Sequence, residues 1–419
     1  MALEEVDVLV VGGGAIGVCA AHYLSLAGRD VTLVEKGEIC SGASFGNGGL
    51  IVPSHGIPLA APGVVRKALK WMLNSTSPFY IKPRLDRELM AWLWRFWRCG
   101  NRRQVLRAVP LLRDLNLASL DLFHELAQLD GMNFNLEQRG MVLLFKEMAH
   151  LKEEMANVEL MRNEGVHAQQ MTPVQIEELN PGLDARIAGG IFFDQDGHLV
   201  PGRFVTQLAE RVRQHGVDVR PQTEVLSMDS GGKRIRTVHT TRGDFQAREV
   251  VLATGSWSPA VAAGLGLNLS IQPAKGYSIT YKLPPEAPRL PMSLMEAKVG
   301  ITPMGEFLRF AGTLELVGMD LTIDQARVGA ILNAVPTYLP HLDPERLELI
   351  QIWSGLRPCT PDGLPFLGRC RDFVNLTVAA GHAMIGLSLS PITGKLVAEL
   401  VTGAPVSVNL ELTRVERFG

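Results

Sequence analysis

The stretch VLVVGGGAIGVCAAHYLSLAGRDVTLVEK, residues 8–36, constrains the fold more tightly than any other part of the chain. An apolar strand, Val8 to Val11, runs into glycines, and a helix carrying Val18, Ala21, Leu24 and Leu26 follows. A second strand, Val31 to Val34, ends on Glu35, so the segment reads as one βαβ unit. In such a unit Gly12 permits the tight turn, Gly14 lets backbone N–H groups approach a pyrophosphate at the helix N-terminus, and Gly17 lets helix and strand pack closely. Ala15 and Ile16 open that helix beside the phosphates. Glu35, with Lys36 next to it, would accept hydrogen bonds from an adenosine ribose and repel a 2'-phosphate. The unit specifies a dinucleotide and leaves NAD and FAD open.

The chain's 419 residues exceed the roughly 250–300 at which single cores stop growing, which predicts two domains. A formal charge of -2 carries no nucleic-acid footprint. Five scattered cysteines form no CxxC pair, so neither a metal nor a disulfide framework is expected. The start, MALEEVDVLVV, lacks a positive n-region, and no segment supplies the ~20 apolar residues of a spanning helix. A reducing, cytoplasmic setting is expected, with peripheral attachment to the inner membrane as the form that membrane contact would take.

After the first unit, SGASFGNGGLIVP (Ser41 to Pro53) reads as a cofactor-lining loop or else a plain flexible one. Residues 57–165 read as mostly helical: VVRKALKWMLN, RELMAWLWRFWRC and a run from Val105 to Gln128. Core packing is the default for Trp71, Trp92, Trp94 and Trp97. Flanking Arg87, Arg95, Arg98, Arg102 and Arg103 leave a surface meeting a membrane or quinone open. From Gly189 the βαβ texture returns with GGIFF, the helix RFVTQLAERVRQHG and VDVRPQTEVLSM. IRTVHTTRGDFQAREVVLATGSWSP reads as two antiparallel strands and then a third, apolar one, Val250 to Ala253. Residues 268–318 alternate as an antiparallel sheet does, and a helical stretch is predicted from Thr322 to Leu339. Dinucleotide texture at the start, middle and end predicts an α/β domain assembled from residues 1–56, 166–258 and 345–419. Residues 57–165 and 259–344 would form an α+β substrate domain with an antiparallel sheet and a helical insert, 57–130.

Five motifs, VVGGGAIG with Glu35, GASFGNGG, VVLATGSW, WSGLRPCTPDGLPFLG and AAGHAMIGLSLSPITGKL, resemble in this order and spacing the D-amino acid oxidase superfamily of FAD flavoproteins. Within it the chain looks most like the bacterial D-amino acid dehydrogenases related to glycine oxidase. The resemblance covers nearly everything but the helical insert and implies a Rossmann-like FAD-binding domain. Independently, no second GxGxxG follows a strand, so the substrate itself, rather than NAD(P)H, would supply the electrons.

The resemblance implies that Val225 places its backbone on the adenine and that Ser44, Asn47, Gly48 and Gly49 line the pyrophosphate and flavin. Ala253, Thr254 and Gly255, with Trp257 just beyond, end a strand at a small-residue turn; this suits close approach to a cofactor, or is an ordinary strand end. Gly381, His382, Ala383, Met384, Ile385, Gly386 and Leu387 would enter a helix whose N-terminus faces the flavin pyrimidine edge and favours negative charge there. Arg357 matches the family arginine that pairs with the substrate carboxylate, a role that suits a permanently charged, bidentate guanidinium. Tyr277 is a candidate pocket hydroxyl, or a half-buried sheet tyrosine. His382 and His55 are candidates for titration near neutral pH, although a lone histidine is more often structural. In VGITPMG (299–305), where eukaryotic members carry a pocket tyrosine, this chain has small or aliphatic residues. The attaching cysteine of sarcosine oxidases falls nearer Gly355 than Cys359, so non-covalent FAD is expected.

The implied reaction is oxidation of a D-amino acid by hydride transfer from Cα to flavin, yielding a 2-oxo acid and ammonia, with electrons passed to a quinone or other acceptor. A glycine or sarcosine-type oxidase using oxygen and a D-hydroxyproline or proline-type dehydrogenase are the alternatives. Positioning matters more than acid–base machinery in such chemistry, in keeping with a sequence that offers no obvious catalytic dyad. The D preference rests on the resemblance alone, and no oligomeric state is predicted.

Overall fold

In the computed structural model, which describes residues 3–60 and 77–418, the opening unit consists of β1 (Leu3–Val11), α1 (Ala15–Leu26) and β2 (Val31–Val34). β1 pairs in parallel with β2 on one side and with the strand Gly243–Leu252 on the other. That second partner begins antiparallel to Ile235–Thr240 and ends parallel to Leu376–Ala380. The separate strand expected at Val250–Ala253 is therefore its second half. Its first half alternates buried and exposed while its end is fully buried, which hid the continuity.

The strands of this sheet are covered on one face by α1 and the helices Pro201–Gln214 and Ser390–Thr402. Gly394 allows the last of these to approach α1 closely, since a Cβ there would lie 2.5 Å from the backbone of Cys19. The helix Arg102–Ala127 closes the same core, with Leu112, Leu115 and Phe123 packed alongside Val8, Leu24 and Leu396. Chain order alone places this helix with the substrate domain. Its apolar face instead covers the nucleotide sheet, and Ser388 Oγ donates to its Asn116 at 2.9 Å.

The second sheet runs in the order Leu349–Cys359, Gln272–Lys282, Phe307–Leu316, Val299–Met304, Met292–Leu294, Met141–Phe145, Gly189–Phe193, Gln169–Met171. GGIFF thus departs from its expected place beside the dinucleotide site and pairs antiparallel with Met141–Phe145. Its glycines permit that packing, because a Cβ on Gly190 would sit 2.6 Å from the Leu143 carbonyl oxygen. The strand Leu349–Cys359 also belongs here, paired along Gln272–Lys282, and its end bridges to His382. One strand therefore links the two sheets and carries Arg357 between them. RELMAWLWRFWRC forms the helix Arg87–Cys99, capped by Asp86, and the helix near residue 330 is shorter than expected, Gln325–Ala334, capped by Asp324. VVRKALKWMLN and Trp71 lie outside the described residues.

Candidate active site

At the carboxyl end of β1, where the chain order of the sheet reverses, a cavity of about 1390 Å³ opens and extends to the second sheet. All the sequence-predicted site residues except Gly17 and Gly49 line it. Those two work behind the wall. A Cβ on Gly17 would overlap the Gly12 carbonyl oxygen, and Gly49 turns at φ +75° against Leu199.

At one end Glu35 accepts the N–H of Gly13 at 2.6 Å and of Gly37 at 3.0 Å, which orients its carboxylate and leaves lone pairs for ribose hydroxyls. Lys36 Nζ lies 3.6 Å from the centroid of the Trp257 ring, and Thr223 to Val225 complete this end. Ser44 Oγ accepts from the Ala15 N–H at 3.0 Å, and the first turn of α1 carries no acidic residue to repel a phosphate. A Cβ built on Gly48 or Gly255 meets nothing within 4 Å, so their backbone borders open space. These residues fit an adenine dinucleotide. Gly381 to Leu387 form a turn that precedes the helix, which begins only at Ser390; the turn, with Gly381 at φ +81° and Ala383 at φ +47°, is what faces the cavity.

The other end is apolar. Trp92, Phe96, Leu59, Phe79, Ile81 and Leu316 line it, and Trp92 is oriented by donating its indole N–H to the Cys359 carbonyl at 2.9 Å. Small residues, Gly276, Gly300, Ala311 and Gly312, form another part of the wall, and Gly300 is the one residue of VGITPMG among them. Arg357 lies over Gly276, where a Cβ would overlap its guanidinium, and donates to the Thr313 carbonyl at 2.9 Å. It has no carboxylate partner among the described residues, and burial lowers its pKa from the usual arginine value.

Three side chains that sequence context marks as candidates for chemistry have other surroundings in space. Tyr277 is 1 % exposed and its hydroxyl donates to Glu315 Oε2 at 2.7 Å; Glu315 also pairs with Arg327 at 3.0 Å and with Lys275 at 3.7 Å. Tyr277 is among the residues lining the cavity, and its hydroxyl serves this buried network. Burial pushes His382 down to about 3, which favours the neutral ring, and its Nε2 meets Thr393 Oγ1 at 3.1 Å. Burial pushes the Cys359 thiol up to about 12, which keeps it protonated and unreactive beside the cavity.

A residue that the sequence does not single out lies just beyond the wall. Asp196 is fully buried and accepts from Ser54 through its N–H at 3.0 Å and its hydroxyl at 2.5 Å. Burial outweighs those bonds and pushes its pKa up from 3.8 to about 7. A carboxyl raised on folding binds more protons in the native state, so stability falls as pH rises from about 4 to about 7. Asp196→Asn is expected to be more stable than the parent above pH ~7, by up to about 4 kcal/mol at ~1.4 kcal/mol per unit, with the gap closing below pH ~4. Urea melts across that range measure it, and a gap independent of pH would contradict the assignment.

The family model described as FAD dependent oxidoreductase (DAO) matches residues 7–400. A protein of Paramagnetospirillum magneticum named D-amino acid dehydrogenase is 33% identical over 419 residues, with 98% of each chain covered. One of Neisseria meningitidis with the same name is 32% identical, over 98% of this chain and 99% of its own. Among solved structures, glycine oxidase from Geobacillus kaustophilus superposes with a TM-score of 0.81 at 26% identity, covering 99% of this chain and 100% of that one. L-proline dehydrogenase from P. horikoshii, at 22% identity and TM-score 0.79 over 100% and 98% of the two chains, shares the fold.

Proposed function

This chain belongs to the DAO family of FAD dependent oxidoreductases, and on that premise we propose that it deaminates a D-amino acid oxidatively and passes the electrons to a quinone or a similar acceptor. The cofactor is FAD, which Gly12 to Ile16, Glu35, the Ser41 to Gly49 loop, Val225 and the Gly381 to Leu387 turn would hold. Bound FAD supplies a two-electron acceptor for the hydride that leaves Cα.

The observation that carries the reading is Arg357: a cavity guanidinium whose charge is not neutralised by an acidic side chain among the described residues. It would take the substrate carboxylate in its fork and thereby fix the direction in which Cα–H points. The same positive charge, with the apolar wall of Trp92, Phe96 and Leu316, disfavours an ammonium and so promotes loss of its proton to water. The neutral amine then gives up hydride from Cα, and water hydrolyses the resulting iminium to the 2-oxo acid and ammonium. Neither His382 nor Tyr277 is needed as a proton carrier. The apolar wall would receive an uncharged side chain.

Anaerobic mixing with a panel of D- and L-amino acids tests the reading: rapid flavin bleaching by apolar D-isomers is expected, and bleaching by L-isomers alone would overturn it. The likeness to glycine oxidase favours a second reading, an oxidase for glycine or a related amine. Stopped-flow reoxidation separates them, since return of flavin colour in air as fast as turnover would support the oxidase.

Membrane contact is the finer part of the proposal. Among the described residues no helix is long and apolar enough to cross a membrane. The helix Arg87–Cys99 buries Leu89, Trp92 and Phe96 but leaves Trp94 54 % and Trp97 63 % exposed, with Arg98 4.7 Å over the Trp94 ring. Exposed tryptophan beside arginine suits an anionic lipid interface. Flotation with anionic vesicles is expected at low salt and should fail for the double variant Trp94→Ala, Trp97→Ala; equal flotation of both would remove this surface from consideration.

A further inference from the structure

Arg309, on the strand Phe307–Leu316, is only 6 % exposed. A guanidinium taken out of water ordinarily needs a carboxylate, yet its partners are neutral. Nε donates to Thr280 Oγ1 at 3.0 Å, and Nη1 donates to the carbonyls of Phe45 at 3.0 Å and Asn47 at 2.7 Å. Burial lowers its pKa to about 10, which leaves it charged at neutral pH.

The two carbonyls belong to the loop that lines the cavity. A trans peptide is planar, with its C=O and N–H pointing in opposite directions. Carbonyls drawn towards Arg309 therefore turn the N–H groups of Gly46 and Gly48 away from it. Both glycines line the cavity, and neither N–H has an acceptor among the described residues. Trp353 pins the loop as well, since a Cβ on Gly46 would overlap its ring. Backbone N–H groups presented together in this way form a concavity for negative charge.

We infer that Arg309 is a positioning residue: from behind the Ser41 to Gly49 loop it aims the Gly46 and Gly48 N–H groups at bound FAD and favours the negative charge that the cofactor gains on reduction. The inference rests on the FAD site proposed above, and it concerns electron affinity rather than substrate recognition. Arg309 touches neither substrate nor the reacting atoms in this role; it acts through the loop.

Sulfite provides a probe independent of turnover. Its lone pair forms a bond to the oxidised flavin, the ring takes up the electron pair, and the visible band bleaches. Flavin-replete Arg309→Met is expected to bind sulfite about tenfold or more weakly than the parent, the size of effect that loss of charge-directed hydrogen bonding produces. Arg309→Lys, which keeps the charge, should recover part of that loss. A lower melting temperature with unchanged sulfite affinity would reduce Arg309 to a structural residue and overturn the inference. Should Arg309→Met fail to fold, Arg309→Lys decides: one ammonium lacks the fork that holds Thr280 and both carbonyls, so about threefold weaker sulfite binding is expected. Parental affinity in that variant overturns the idea equally. A parent protein that never takes up FAD would instead remove the site reading itself, and the flavin content of each preparation keeps the two failures apart.

Discussion

Arg357→Ala is expected to lower kcat/KM for carboxylate-bearing amines by roughly one and a half to three and a half orders of magnitude, the 2–5 kcal/mol that truncating one partner of a buried charge pair removes. The loss follows from the geometry. The guanidinium rests over Gly276 and spends one donor on the Thr313 carbonyl, and among the described residues no acidic side chain takes the others, which could form the carboxylate fork. Arg357→Lys keeps the charge without the fork and is expected to recover only part of the rate. Amines without a carboxylate should lose little with either variant. Stability is expected to hold, because the substitution takes an uncompensated cation out of a desolvated site and enlarges a cavity that is already open. Steady-state kinetics with paired carboxylate and amine donors, alongside thermal melts, provide the measurement. Unchanged kcat/KM for amino acids would show that the substrate lies elsewhere.

Gly17→Ala should yield a flavin-free and markedly less stable protein. The added Cβ would overlap the Gly12 carbonyl oxygen, so β1 and α1 must separate at the point where the phosphate cradle forms. Overpacking of this kind costs about 1–3 kcal/mol when the neighbours can relax, and more when, as here, the neighbour is backbone. Gly12 has little freedom to yield: it sits at φ +115°, and its own Cβ would lie 2.5 Å from the Ala253 carbonyl oxygen. Gly264→Ala is the matched control, since a Cβ there meets nothing within 4 Å and the residue is exposed. The ratio of visible to ultraviolet absorbance and the melting temperature of the two variants test the contrast. Normal flavin content in Gly17→Ala would contradict the packing role.

The dinucleotide cradle was legible because every step of its logic is local. Strand, glycine turn, helix and acid follow one another within residues 8–36, and β2 occupies Val31–Val34 as the apolar run predicts. Motif order likewise singled out segments that line the cavity, Arg357 among them. The surroundings of Tyr277 and His382 were not legible, because a hydroxyl's partner and an imidazole's burial belong to neighbours remote in sequence. Glu315 lies on the next strand from Tyr277, and Thr393 on the closing helix faces His382.

By itself, then, the order of residues determined a nucleotide-binding α/β unit and, through the family its motifs resemble, an electron-accepting cofactor. Which strands share a sheet was decided only in three dimensions. Periodicity tells which side of an element is apolar but not what will cover it, so GGIFF went to the second sheet and the Arg102–Ala127 helix to the first. Arg309 shows the same division in one side chain. Its charge is visible in the sequence, but its grip on Phe45 and Asn47 appears only when two sheets meet, since hydrogen bonds depend on distance in space and are blind to distance along the chain.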